Sequence, residues 1–310
     1  MQPVVQRLAD ATRILLAGCG GGYDVFGGVP LAVDLLDRGK QVFFASSSFC
    51  YLNGLAGASQ HREAPNLYAV PGGAATVSTY CPEAWLARWL EQQLGYTEPV
   101  WAFDKTGVQP LLAAYRLLVR QHALDAVVLV DGGVDSLLRG DESSLGTPAE
   151  DLASIAAVEQ LEVGTKVLAC FALGAEIRDG ICHAQVFERI GELTRLGGFL
   201  GASALVGTGR SGALYREAVE FAFANQEGQR RSHINKVVCA AMNGEAGSRG
   251  AHIWLSPLMN LFWFFDATVV AQSSMLVPHV RDTESIWDVS ARIEGVRKDL
   301  AVRERSVIPI

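Results

Sequence analysis

The sequence predicts an α/β fold, a doubly wound and largely parallel sheet flanked by helices (Rossmann-like), as a single domain over residues 1–310. Three observations predict it. Apolar, strand-like runs alternate with helical patterns along the chain. The run Asp125–Val130 is almost unbroken in its apolar character, as a strand covered on both faces must be. The first strong segment reads strand, Gly-rich turn, helix, strand, which is a βαβ unit.

The elements follow in order. Arg13–Ala17 is a strand that runs into Gly18-Cys19-Gly20-Gly21-Gly22. A helix is expected from Val25 to Asp37, closed by Gly39, and Gln41–Ala45 is the second strand. Asn66–Val70 and Val100–Phe103 are shorter strands. Pro82 opens a helix with Trp85, Leu86, Trp89 and Leu90 on one face, and Pro110 opens another through Gln121. Together they form a helical excursion around residues 80–122. Asp125–Val130 exits into Asp131-Gly132-Gly133-Val134-Asp135 and an acidic loop that lasts to Gly146. Thr147-Pro148-Ala149-Glu150 has the pattern of a capping box with Pro at the first helical position, so Glu150 and Asp151 are assigned to the first turn of a helix reaching Leu161. Thr165–Ala169 reads as strand, and Ala184–Leu196 and Leu214–Asn225 as helices. Lys236–Ala241, His252–Leu255 and Ala267–Ala271 read as strands. Ile286, Val289, Ile293, Val296 and Leu300 recur every three or four residues and define a C-terminal helix over 285–303.

Bulk properties narrow the function. With 310 residues and 49% of them hydrophobic, the chain fills a packed core and is no disordered segment. A net charge of −7 gives no electrostatic reason to approach nucleic acid or an anionic membrane. The six cysteines show no Cys-x-x-Cys pair and no zinc spacing, which fits free thiols in a reducing cytosol. Met1–Arg13 lacks a signal-peptide pattern, so a cytoplasmic location is expected. The apolar stretch from His252 to Val277 is interrupted by Asn260, Asp266 and Gln272 and reads as core or interface rather than a membrane span. Within it, Leu261-Phe262-Trp263-Phe264-Phe265 suits either a homo-oligomer interface or core packing.

Two loops carry the chemistry. Gly21-Gly22-Tyr23-Asp24 and Gly132-Gly133-Val134-Asp135 each follow a strong strand with a Gly-Gly-x-Asp pattern. Open α/β sheets bind ligands beyond the carboxyl ends of their strands, so both loops are expected to face one crevice. The first loop departs from the dinucleotide fingerprint. Its sixth position is Tyr23, the second strand ends in Ala45-Ser46-Ser47-Ser48 rather than an acid, and Asp24 sits where a pyrophosphate would go. Neither a nicotinamide nor an S-adenosylmethionine cofactor is favoured. Asp24 capping its helix is the plainer reading.

In the second loop Asp131, Asp135 and Asp141 crowd together with Glu142, and Arg139 lies among them. Such carboxylates suit Mg²⁺ coordination or hydrogen bonds to sugar hydroxyls. Asp131–Ser136 resembles the Ser-Gly-Gly-x-Asp-Ser loop of ATP pyrophosphatases over six residues only, with Asp131 in place of the leading Ser. Asp104-Lys105-Thr106-Gly107 matches the phosphorylated motif of cation pumps without the rest of that machinery, although Asp104 and Lys105 follow a strand and could line the crevice. Cys19 has no adjacent His to act as its base, and Ser211 lacks esterase spacing. His233 precedes an apolar run and could reach a site.

Taken together, Gly20–Val25, Asp131–Ser136 and Arg139-Gly140-Asp141-Glu142 through Gly146–Asp151 resemble domain-of-unknown-function family 1152. That resemblance implies that the two Gly/Asp loops act together. It implies no reaction. The residues point to an enzyme on a small polar metabolite, phosphorylated or nucleoside-like: a Mg²⁺-assisted hydrolase or transferase. The amides of Gly20, Gly21 and Gly22, with Asp24, Gly132 and Gly133, would bind substrate. Asp131, Asp135 and Asp141 would hold metal. Asp131, Asp135 and Arg139 would carry the catalysis. A non-catalytic ligand-binding or assembly protein is the alternative, and an NAD(P)-dependent oxidoreductase a further one.

Overall fold

Short apolar runs set the strands, and the residues between them set the layers. The computed structural model describes residues 4–226, 228–249 and 253–308. A short helix α1 (Val4–Arg7) precedes β1 (Arg13–Gly18); a 3-10 turn over Gly22–Gly27 leads into α2 (Gly28–Leu36) and β2 (Gln41–Ser47). Then come β3 (Ser59–Gln60), β4 (Leu67–Val70), α3 (Pro82–Leu94), β5 (Val100–Phe103) and α4 (Val108–His122). The second half starts with β6 (Ala126–Asp131), α5 (Pro148–Glu159), β7 (Thr165–Cys170), α6 (His183–Arg195) and β8 (Phe199–Ala204). α7 (Arg210–Asn225) and α8 (His233–Met242) are followed by a hairpin of β9 (Gly247–Arg249) and β10 (Ile253–Leu255). β11 (Leu261–Asp266), α9 (Ala267–Gln272), α10 (Val277–Val280) and α11 (Ile286–Asp299) complete the chain.

Nine strands form one sheet in the order β3-β4-β5-β2-β1-β6-β7-β11-β8. The five central strands, β5 to β7, are parallel; β4 and β3 extend one edge antiparallel, and β11 and β8 the other. Side chains alternate across the central strands. Ile14, Leu16, Val128 and Val130 join a core layer with α2, α3 and α7. Leu15, Ala17, Val127 and Leu129 join the opposite layer with α4, α5 and α11. The sheet is therefore doubly wound, with helices on both faces. α3 lies on the face of α2 between the antiparallel β4 and β5, and α4 crosses on the opposite face from β5 to β6.

Three expectations change. Lys236–Ala241 lies within α8 and Ala267–Ala271 within α9, not in strands. In each case a cap decides: Ser232 Oγ accepts the Asn235 N–H, and the Asp266 carboxylate accepts those of Thr268 and Val269. β8 escapes notice in the sequence because it is a Gly- and Ala-containing edge strand with little burial. The last helix stops at Asp299, and Leu300 is already extended. The strand expected at His252–Leu255 begins at Ile253, with His252 outside the described residues. The aromatic run Leu261–Phe265 is β11, and Phe262, Phe264 and Phe265 are buried in the sheet's own layers, so core packing accounts for it. Among the described residues no helix is long and apolar enough to cross a membrane.

Candidate functional site

β1 and β6 lie side by side, yet the chain leaves them in opposite directions, from β1 toward β2 and from β6 toward β7. That reversal leaves a crevice beyond the carboxyl ends of the two strands. A cavity of about 730 Å³ opens there. Gly20, Gly21, Asp24, Asp131, Gly132 and Asp135 all line it, so the two Gly/Asp loops do face one space. Seven carboxylates and four Lys or Arg side chains contribute to the lining.

The acids fall into two groups by what answers them. Asp135 Oδ2 accepts the Thr147 N–H at 2.9 Å and its hydroxyl at 3.4 Å. Asp135 also shares a hydrogen bond with the Glu176 carboxyl, and Glu176 Oε2 accepts the Val134 N–H at 2.6 Å. One proton must sit between the two carboxyls. Asp131 Oδ2 accepts from the Ser136 N–H and hydroxyl. Asp24 Oδ2 accepts the N–H groups of Gly20 at 2.9 Å and Gly21 at 3.1 Å. The Oδ1 of Asp151, by contrast, is buried with no hydrogen-bond partner.

Asp24, Asp131 and Asp151 each place one carboxylate oxygen within 4.8 Å of the other two. This closeness explains the glycines. A Cβ at Gly20 would sit 2.8 Å from Asp151 Oδ1, and one at Gly132 would sit 2.5 Å from Asp24 Oδ1. The glycines let carboxylates, rather than a ligand alone, approach the backbone. Burial and mutual repulsion raise the whole group. Desolvation, opposed by the Gly21 and Gly20 amides, pushes the Asp24 carboxyl up to about 7. Burial first, then neighbouring carboxylates, hold Asp131, Asp151 and Glu176 well above the usual range. Burial raises Asp135 as well, against its hydrogen bonds. A divalent cation would relieve this repulsion and fill the vacant valence of Asp151, so the donor set fits a hard, oxygen-ligated ion such as Mg²⁺.

Not every expected residue is brought here. Arg139 pairs with Asp141 at 2.5 Å and Glu192 at 3.3 Å, and Arg303 pairs with Asp141 at 3.1 Å. Arg139 and Asp141 neutralise one another outside the cavity lining, tying the acidic loop to α6 and the C-terminal segment. The metal set read from sequence thus keeps Asp131, loses Asp141, and gains Asp24 and Asp151. Asp135 stands beside it, held by Thr147 and Glu176. The amides of Gly20 and Gly21, expected to hold a substrate anion, are taken by Asp24. Gly22 turns in the left-handed region (φ 62°) toward Phe49 and Tyr80, and Gly133 packs on the Glu176 carboxylate. The capping box at Thr147 does not form: its hydroxyl turns to Asp135 and accepts no N–H of the helix, and Glu150 instead meets Lys105 at 2.8 Å.

Several lining residues escaped the sequence reading. Asp151 was hidden by the apparent cap. Glu176 and Arg178 lie in a 3-10 turn (Ala175–Asp179) after β7, another strand exit on the same edge. Arg230 and Arg231 precede α8, whose His233 does reach the cavity, with burial lowering its imidazole. Cys19 is fully buried, its Sγ donating to the Asp151 carbonyl at 3.7 Å, and desolvation raises the thiol, so it is a core residue and not a nucleophile.

Residues 76–298 match the family described as "Protein of unknown function (DUF1152)". That span contains Asp131, Asp135, Asp151, Glu176 and the arginines, and Asp24 lies before it. No curated protein and no solved structure matches the chain.

Proposed function

The chain belongs to the DUF1152 family, whose description carries no reaction, and from the site itself we propose a divalent-cation-assisted hydrolase or transferase acting on a small, polar, phosphorylated or nucleoside-like metabolite. The observation that carries this reading is the convergence of Asp24, Asp131 and Asp151 around a buried, unpartnered Asp151 Oδ1. A buried polar atom left without a partner costs about 1–3 kcal/mol, more when charged, and a bound cation removes that cost. Bound there, Mg²⁺ would polarise a substrate oxygen or lower the pKa of a water.

The chain's own residues divide the remaining work. Asp24, Asp131 and Asp151 would hold the cation, and the Gly20 and Gly21 amides fix Asp24. The Asp135–Glu176 pair stands beside the cluster, and burial raises both carboxyls, so it is the pair of groups from which a general acid or base would be drawn. The first loop has no free amides at Gly20 and Gly21 for a pyrophosphate, which weighs against a dinucleotide seated there. All six cysteines are free, in keeping with a reducing cytoplasm.

Calorimetric titration of Mg²⁺ into wild type and Asp151→Asn, followed by turnover of phosphorylated and nucleoside metabolites, tests the proposal. Mg²⁺ binding that Asp151→Asn abolishes, together with Mg²⁺-dependent turnover, is expected. Wild-type protein that takes up no divalent cation would refute the reading. Binding of a metabolite without any product would leave a binding protein.

A further inference from the structure

The cavity has two ends of opposite sign. Asp131, Asp135, Asp151 and Glu176 are buried at its floor. The lining cations Lys105, Arg178, Arg230 and Arg231 are all exposed, and Asp179 is the one exposed acid among the described lining residues. Lys105 is already engaged, paired with Glu150 and set 4.1 Å above the Phe49 ring. The three arginines form no ion pair among the described residues; Arg231 only donates to the Phe223 carbonyl at 3.0 Å. They come from two separate segments, the turn after β7 and the approach to α8. α8 starts at the same mouth, with His233 and Ile234 in the lining. Ser232 caps the Asn235 N–H, so the amides of the first helical turn ahead of it remain available.

Three like charges with only Asp179 among them, and in no ion pair with it, repel one another unless an anion joins them, and the planar guanidinium matches phosphate oxygens in pairs. The overall charge of −7 argues against a polyanionic partner for this patch. From this we infer that Arg178, Arg230 and Arg231, with the N-terminus of α8, form a phosphate subsite at the cavity mouth. It binds the phosphate of a small phosphorylated metabolite as a handle, while the substrate's other end reaches the carboxylate floor. A cavity of about 730 Å³ is of metabolite size. This assignment rests on the proposed function for its floor, but its own ligand is the phosphate alone.

The test uses inorganic phosphate titrated calorimetrically into the full chain in EDTA, so that no metal enters. Saturable binding is expected in wild type. It should weaken roughly tenfold or more in the Arg230→Ala/Arg231→Ala double variant, since each charge-assisted bond is worth that much. The Arg230→Lys/Arg231→Lys variant keeps charge and should bind at an intermediate affinity. Asp151→Asn should bind phosphate as well as wild type or better. The arginines are exposed, and circular dichroism verifies that each variant is folded. Absence of saturable phosphate binding in wild type, or equal affinity in the double Ala variant, would overturn the subsite. Mg²⁺ titrated into the double Ala variant separates the two ideas. Wild-type Mg²⁺ affinity with lost phosphate binding supports both, and phosphate binding without Mg²⁺ uptake sustains the subsite while removing the metal reading.

Discussion

Asp151→Asn is the most informative single change, because it should move stability in opposite directions with and without a cation. Among the described residues its carboxylate makes no hydrogen bond, and its Oδ1 is buried without a partner, so the substitution breaks none. It does remove a charge. At 4.8 Å, the widest separation in the cluster, two unit charges repel by about 3 kcal/mol at an effective dielectric of about 20. Partial protonation of the cluster already relieves some of that, so neutralising Asp151 should stabilise the metal-free protein by about 1–3 kcal/mol. For a chain of this length that is a rise of roughly 2–6 °C in melting temperature. With Mg²⁺ at a hundred times its Kd, wild type should gain about 2.7 kcal/mol, and the variant, short of one ligand, much less. Differential scanning calorimetry in EDTA and in Mg²⁺ reads both effects. A variant less stable than wild type in EDTA, or one with an undiminished Mg²⁺ shift, would refute the assignment of Asp151 to a cation.

Other consequences follow from the same geometry. The Asp24 carboxyl is raised from its ordinary 3.8 to about 7, so the native state binds a proton more tightly than the unfolded chain. This stability is present below about pH 4 and is lost as pH rises through about 7. Asp125, Asp141 and Glu192 are shifted down and lose their contribution only in acid; between about pH 5 and 8 the raised cluster and Glu83, raised to about 7, outnumber the lowered His122, His183 and His233, whose burial acts the opposite way. The melting temperature in EDTA should therefore fall across that range, and Mg²⁺ should flatten the slope; a rise in EDTA would contradict the assignment. Asp135→Asn puts an amide against the Thr147 N–H or the Glu176 carboxyl and should cost about 1–3 kcal/mol in denaturant unfolding. Arg139→Ala leaves Asp141 with Arg303 and should lower stability by about 1 kcal/mol without changing Mg²⁺ affinity; a change in that affinity would return Arg139 to the site. Gly132→Ala drives a methyl onto Asp24 Oδ1 and should weaken Mg²⁺ binding at nearly unchanged fold, read by calorimetry and circular dichroism.

The fold was legible where the sequence is locally consistent. β1, β6 and β7 are apolar runs, and their alternation with helices gives the layers without further information. The site was legible where a strand exit names it: Asp24, Asp131 and Asp135 each follow a buried strand and do line one cavity. What failed was proximity in sequence used as proximity in space. Asp141 lies ten residues past Asp131, but its loop turns away and meets Arg139 and Arg303 instead. Asp151 and Glu176 are brought in by tertiary folding, one from the first turn of α5 and one from the turn after β7. The strand-exit rule applied to β7 would have pointed to Glu176. For Asp151 the apparent Thr-Pro-Ala-Glu cap gave the opposite signal, because Lys105 draws Glu150 elsewhere.

The acids of the second loop also show why a count of carboxylates is a poor guide to a ligand. Asp141 is closed off by two arginines, and Asp135 by an amide, a hydroxyl and a shared proton; each is answered from within the chain. A group so answered gains little from a ligand, since binding would first have to break what it already has. Asp151 is the reverse. It is buried among four other raised carboxyls, and among the described residues nothing donates to its Oδ1. The free energy withheld at that atom is what a bound cation recovers. At the mouth the arginines reverse the sign of the same relation, being cations with no carboxylate partner among the described residues. A molecule that satisfies both must carry an anionic group at one end and present metal-binding oxygen at the other. Phosphorylated metabolites bearing hydroxyls meet that description, and a tetrahedral phosphate offers the three guanidiniums more acceptor oxygens than a carboxylate does.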